Sequence, residues 1–179
     1  MTEPTHDDPR ATLQASTGKT LTELSADQPV LVAFLRHSGC TFCRELLAEL
    51  GRRRLDIEAQ GIGIVLVHLE DDADVRTLAD SYGLADVPRI ADPEQQLYAA
   101  FELRRMSPLE LFNPAVWLRG FRAAILKRHG FGSVKGDVLQ MPGVFLVERG
   151  RILAGYRHST PASACDIPAL IEQGRHAQS

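Results

Sequence analysis

The stretch PVLVAFLRHSGCTFCRELLAEL, from Pro29 to Leu50, decides the fold. Val30 to Leu35 is an unbroken apolar run rich in β-formers, the pattern of a strand buried on both faces. Arg36 to Gly39 is a tight polar turn. From Cys43 the apolar residues recur at helical spacing: Leu46, Leu47 and Leu50, then Leu55, Ile57 and Ala59, with Gln60-Gly61 closing the helix. Ile62 to Leu69 is a second buried strand. Asp71-Asp72 then stands where a helix N-terminus favours acids, followed by Val75, Leu78, Ala79 and Tyr82, with Gly83 as the stop. A right-handed crossover makes the two strands parallel neighbours.

Downstream, Arg89 to Ala91 reads as a brief third strand, and Asp92-Pro93 opens a short helix carrying Leu97, Tyr98, Ala100 and Phe101. Residues 104–140 differ in character. Arg104, Arg105, Arg119, Arg122, Lys127, Arg128 and Lys135 are balanced only by Glu110 and Asp137, and Leu109, Phe112, Trp117, Phe121 and Ile125 are interleaved with them. This pattern predicts an insertion of one or two basic amphipathic helices, packed on the domain or docking a partner or a membrane surface. Val144 to Val147 and Ile152 to Tyr156 flank Glu148-Arg149-Gly150-Arg151, a hairpin signature, and Ile167 to Gln173 is a last helix. Residues 1–18, polar and rich in Asp, Pro and Thr, are expected to be a flexible arm, and 19–176 one domain. The class is α/β: a mixed central sheet flanked by helices, with a helical insertion before the C-terminal hairpin.

Composition sets bounds. The chain has 179 residues, 44% hydrophobic and 24% charged, which is ordinary globular usage and excludes disorder throughout or a collagen-like repeat. A formal net charge of −3 leaves no basic excess to hold nucleic acid by counterion release. The N-terminal MTEPTHDDPR has no apolar stretch of the signal-peptide kind, and the longest apolar runs fall far short of the roughly 20 residues that span a bilayer. The expected setting is a reducing cytoplasm. No glycine-rich phosphate loop is present, so no nucleotide or other cofactor is expected.

Of three cysteines, Cys40 and Cys43 form C-x-x-C and Cys165 stands alone. The pair lies where a buried strand hands over to a helix, whose first turn offers free N–H groups and the positive dipole end, a setting that lowers a thiol pKa. Arg36, His37 and Arg44 add cations nearby. Cys40, nearer the loop, is the expected attacking thiol; Cys43, one helical turn in, is the resolving thiol that attacks a mixed disulfide on Cys40. A zinc half-site lacks two further ligands near the pair, and two inert core cysteines are the other bland reading. His37 could hold a thiolate as imidazolium, accept its proton as a base, or be a solvated loop residue. His68 and Glu70 close the second strand, at the edge where ligands gather in open α/β sheets; a polar strand end is the favoured reading. Arg89 and Arg104-Arg105 suit an anionic substrate or, more commonly, a carboxylate-paired face. Met141-Pro142-Gly143 precedes a strand, either as a boundary or as a cis-proline that shapes a site.

FLRHSGCTFCREL (Phe34–Leu46), VPRIADPEQQLYAAFELRR (Val87–Arg105) and QMPGVFLVERGRILAGYRH (Gln140–His158) together resemble the thioredoxin-like AhpC/TSA group, in its selenoprotein-L-like, peroxiredoxin-like branch. The resemblance covers about residues 30–158. It implies a thioredoxin-like fold, thiol antioxidant chemistry on peroxide or another oxidised substrate, and recycling by a thioredoxin- or glutathione-type dithiol donor. By it Cys40 matches the thioredoxin nucleophile and Pro142 the cis-proline that faces the C-x-x-C. The dipeptide between the cysteines is Thr41-Phe42 rather than Gly-Pro. Laid on the peroxiredoxin pattern instead, Cys43 takes the peroxidatic place, Cys40 that of a hydroxyl residue and Arg36 that of a proline. The other reading is a redox-responsive interaction module, in which the disulfide state controls exposure of the basic 104–135 segment.

Overall fold

The computed structural model describes residues 8–38, 40–105, 139–158 and 164–177. The core is a five-stranded sheet of β1 (Val30–Phe34), β2 (Gly63–His68), β3 (Arg89–Ala91), β4 (Gly143–Glu148) and β5 (Arg151–Arg157), in the order β3-β2-β1-β4-β5. β1 pairs parallel with β2, and β2 with β3, while β4 lies antiparallel to β1 and β5 antiparallel to β4. The expected mixed sheet is therefore present, with β1 at its centre.

The buried strands divide their side chains by simple alternation. Leu31 and Ala33 face the layer built by α3 (Thr41–Glu58), α4 (Asp72–Asp80) and α6 (Ile167–His176). Val30, Val32 and Phe34 face the layer of α2 (Leu21–Leu24) and α5 (Gln96–Ala100), where Phe34 meets Tyr98, Phe101 and Phe145 at ring-centroid distances of 5.0, 4.9 and 5.6 Å. These are the edge-to-face and tilted geometries that aromatic quadrupoles favour.

Element ends follow local chemistry. The Asp71 side chain caps α4 by accepting from the Ala73 N–H, as the acidic pair predicts. The β4–β5 turn places Arg149 (φ 50°) and Gly150 (φ 70°) in the left-handed region, the two-residue turn that suits a right-twisted hairpin. Two details differ from expectation. α3 begins at Thr41, with Cys40 as its N-cap, rather than at Cys43. α5 begins at Gln96, and Pro93 lies outside it: the buried Asp92 carboxylate sets that start by accepting from the N–H groups of Gln96 (2.9 Å), Leu97 (2.8 Å) and Tyr98 (3.3 Å).

From Asp8 onward the polar N-terminal stretch is docked on the sheet rather than loose. α1 (Pro9–Thr12) is capped by Asp8, the Ser16 N–H donates to the Arg89 carbonyl (2.7 Å), and Ala15 bridges Ile90. Composition alone missed this because backbone pairing needs no apolar side chains. The basic insertion falls on residues 106–138, outside the described residues; its flanks meet, with Arg105 bridging Gln140.

Candidate active site

β1 ends at Phe34, and the next turn delivers Arg36, His37 and Ser38 to the start of α3. Three bonds shape this turn. The Arg36 N–H donates to Cys43 Sγ (3.2 Å), the Cys40 N–H donates to the His37 carbonyl (2.9 Å), and Arg44 Nε donates to the Ser38 carbonyl (2.9 Å). Glu70, just past β2, fastens the same turn from across the sheet edge, accepting from the Ser38 N–H (2.9 Å) and hydroxyl (3.2 Å).

Both cysteines of the pair are buried and free. The Cys43 thiol donates to Cys40 Sγ, and that bond holds the Cys40 pKa down to about 6 against the opposing effect of burial. The Arg36 charge and the N–H groups of Cys43 and Phe42 in the first turn of α3 act in the same direction. Cys43 moves the other way. Its bond to Cys40, its burial and the neighbouring sulfur charge all push its pKa well above the usual thiol value. The two thiols are thus shifted in opposite directions, Cys40 down and Cys43 up.

Arg36 is buried, and two contacts aim it. Its Nε donates to the Gln140 carbonyl (2.9 Å) and its Nη1 lies 3.8 Å from Cys40 Sγ. Gln140 is held in turn by its side-chain amide, which donates to the carbonyls of Leu103 (3.2 Å), Met141 (3.3 Å) and Arg104 (3.4 Å). Tyr98, fully buried, donates its hydroxyl to the Leu35 carbonyl and lies 3.2 Å from that of Val67, joining the ends of β1 and β2 directly before Arg36. Gln140, Tyr98 and Glu70 are supports that sequence reasoning did not assign. Each acts through a backbone group or a distant residue, and only the acid at the strand end carried any signal.

The other anticipated residues are distributed as follows. Thr41 is buried at the first position of α3, and Phe42 packs partly buried on the core. His37 is not an imidazolium: burial and the Arg36 charge push its pKa down to about 4, and its buried Nδ1 has no hydrogen-bond partner among the described residues. Pro142 is buried and its carbonyl accepts the His158 N–H (3.3 Å), but its peptide bond is trans, as are all others among the described residues. The pairing of Gln140 with Arg105 and of Gly143 with Phe34 carries the backbone through Pro142 as extended chain, in keeping with the modest intrinsic preference of X-Pro bonds for trans. Arg89 is a structural cation. It binds Asp72 (2.9 Å) and the carbonyls of Ala85 (2.8 Å) and Val87 (3.0 Å). Cys165, half-buried against the core, has its pKa pushed up to about 12 by burial and by Asp166, so it stays a thiol.

Known proteins place the fold and the family. The model of the AhpC/TSA antioxidant enzyme family matches residues 49–160. The prostamide/prostaglandin F synthase of Salmo salar is 27% identical over 172 residues, covering 88% of this chain and 84% of that one, and the one of Danio rerio is 28% identical over 151 residues, covering 82% and 72%. Among solved structures, the Xanthomonas campestris bacterioferritin comigratory protein superposes with a TM-score of 0.65 at 16% identity, covering 98% of this chain and 97% of that one. The Mycobacterium tuberculosis peroxidoxin BcpB gives 0.63 at 14% identity, covering 93% and 92%. No described helix is long and apolar enough to cross a membrane. With a thioredoxin-like sheet and a family match over more than half its length, the chain belongs to the AhpC/TSA antioxidant enzyme family and is an oxidoreductase.

Proposed function

We propose that this chain reduces a peroxide or another oxidised substrate with Cys40 as the attacking thiolate and Cys43 as the resolving thiol. The observation that carries the reading is the setting of Cys40: Arg36 Nη1 stands 3.8 Å from its sulfur at the N-cap of α3, and the Cys43 thiol beside it favours charge on Cys40. Charge is thereby held on the sulfur at the N-terminus of α3, where a nucleophile is needed. With a peroxide, the Cys40 thiolate attacks one oxygen, the O–O bond breaks, and the alcohol or water leaves with a proton taken from solvent. Cys40 becomes a sulfenic acid. Cys43 then attacks that sulfur, the S–S bond forms, and the displaced hydroxide leaves as water. A thioredoxin- or glutathione-type dithiol donor in a reducing, cytoplasmic setting returns both thiols. Arg36, Thr41, Phe42 and Pro142 shape the site, and neutral His37 borders it.

The test is intact mass of the reduced protein and two variants after one equivalent of hydrogen peroxide. The parent is expected to lose two hydrogens as a Cys40–Cys43 bridge, Cys43→Ser to stop at a trappable sulfenic acid on Cys40, and Cys40→Ser to consume no peroxide beyond a free-thiol rate. Full turnover by Cys40→Ser with an external dithiol would overturn the assignment.

The relatives favour a second reading of the substrate, because the match to prostamide/prostaglandin F synthases spans 88% of the chain in the Salmo salar case. On that reading the oxidised substrate is a precursor of prostaglandin F or its amide, reduced by the same two thiols. Product formation from such a precursor with a dithiol donor, abolished by Cys40→Ser, is the result expected.

A further inference from the structure

Resting on that reading of the pair, the disulfide-closing step poses a proton problem. In the reduced protein the Cys43 proton is shared with the Cys40 thiolate. Once Cys40 has been oxidised, that acceptor is gone, yet Cys43 must still lose its proton to attack. Cys43 is almost wholly buried, at 2% exposure, so an acceptor beside it shortens the path of that proton.

The structure offers another acceptor. Cys43 and His68 line one small cavity of about 10 Å³, room for about one water, with Arg36, His37 and Glu70 also on its wall. His68 is 1% exposed. Its Nδ1 lies 2.9 Å from the Glu70 carbonyl, and a carbonyl only accepts, so Nδ1 carries the proton and Nε2 presents a lone pair. That lone pair has no hydrogen-bond partner among the described residues. Asp72 Oδ1 lies 3.3 Å from Nε2 and is itself an acceptor already engaged by Arg89 Nε at 2.9 Å. Two acceptors facing one another are mismatched while His68 is neutral and matched once Nε2 gains a proton.

We propose that His68 takes the proton of Cys43, through one water in the shared cavity, as Cys43 closes the disulfide. Asp72, 3.3 Å from Nε2, then holds the imidazolium that forms. His37 borders the same cavity but suits the role less, because its neighbouring charge is the Arg36 cation whereas that of His68 is a carboxylate. The charged and titratable groups around His68 are Asp72 from α4, Arg89 from β3 and, around the cavity, Cys43, Arg36, His37 and Glu70. Burial lowers the His68 pKa, so the imidazole is neutral and ready to accept near neutral pH.

A symmetrical aryl disulfide with a coloured thiolate leaving group isolates the step. In the first phase the Cys40 thiolate forms a mixed disulfide and releases one aryl thiolate. In the second, Cys43 loses its proton, the Cys40–Cys43 bond forms, the mixed disulfide breaks and a second aryl thiolate departs without needing a proton. The only proton to be placed is that of Cys43. For the full-length His68→Gln variant, the first phase is expected within about twofold of the parent. The second should slow at least tenfold at pH 7, and the deficit should shrink as rising pH lets hydroxide take the proton. Asp72→Asn, which keeps a side-chain oxygen for Arg89 but removes the charge, is expected to slow the second phase severalfold with the first unchanged. A second phase equal to the parent's in both variants, or slowed equally at every pH as a purely structural effect would be, overturns the inference while leaving the assignment of Cys40 intact. The first aryl group mapped to Cys43, or a parent that never releases the second equivalent, overturns the assignment and the inference together.

Discussion

At the residue scale, Cys40 has its pKa lowered to about 6 by the Cys43 hydrogen bond and the Arg36 charge. Its reactivity is therefore expected to rise with pH to a plateau just above neutrality, half-maximal near pH 6, and to fall as acid returns the proton. Alkylation rates of the Cys43→Ala and parent proteins across pH check this, with Cys43→Ala shifted upward because the thiol donor is gone. Arg36→Met should raise the half-maximal pH by about one pH unit, since an opposite charge close to a thiolate shifts it by that order. The two thiols and the cation beside them were legible in one short stretch of sequence. His37 was not: its neutrality depends on burial and on where the Arg36 guanidinium lies, neither of which spacing reveals.

At the element scale, side chains set boundaries more sharply than apolar periodicity does. Asp92 starts α5 by satisfying three N–H groups at once, so Asp92→Ala is expected to destabilise the fold by roughly 1–2 kcal/mol, as the loss of a strong cap does. Chemical denaturation of the reduced protein reads the change. Tyr98→Phe removes the buried hydroxyl that joins the ends of β1 and β2, leaving the Leu35 carbonyl without that donor, at about 1–2 kcal/mol. The strands were legible to within about a residue because continuous Val, Ile and Leu runs report burial on both faces. The start of α3 was missed by two residues because Thr41 and Phe42 carry no helical periodicity of their own, and Cys40, at the N-cap, makes no side-chain capping bond.

Across the whole molecule, close approach between layers is a constraint of its own. A Cβ on Gly51 of α3 would fall well inside van der Waals distance of the Tyr82 carbonyl beyond α4. Alanine favours a helix interior over glycine by about 1 kcal/mol, but a clash with backbone cannot be relieved by a rotamer change and overpacking costs about 1–3 kcal/mol or more. Gly51→Ala is therefore expected to lower the thermal midpoint rather than raise it, which calorimetry decides.

The sequence by itself determined the strand–turn–helix unit, the thiol pair at its bend, the hairpin and the family, because each is written in residues a few positions apart. Tertiary structure decided what surrounds the pair. Arg36 is held over Cys40 by a carbonyl 104 positions away in sequence, at Gln140; the turn is fastened by Glu70; and His68 shares a cavity with Cys43. Those neighbours follow from the order β3-β2-β1-β4-β5, which brings the end of β2 and the approach to β4 to the two sides of β1. Periodicity shows which face of a strand is buried, and only the pairing of strands shows which residues meet there.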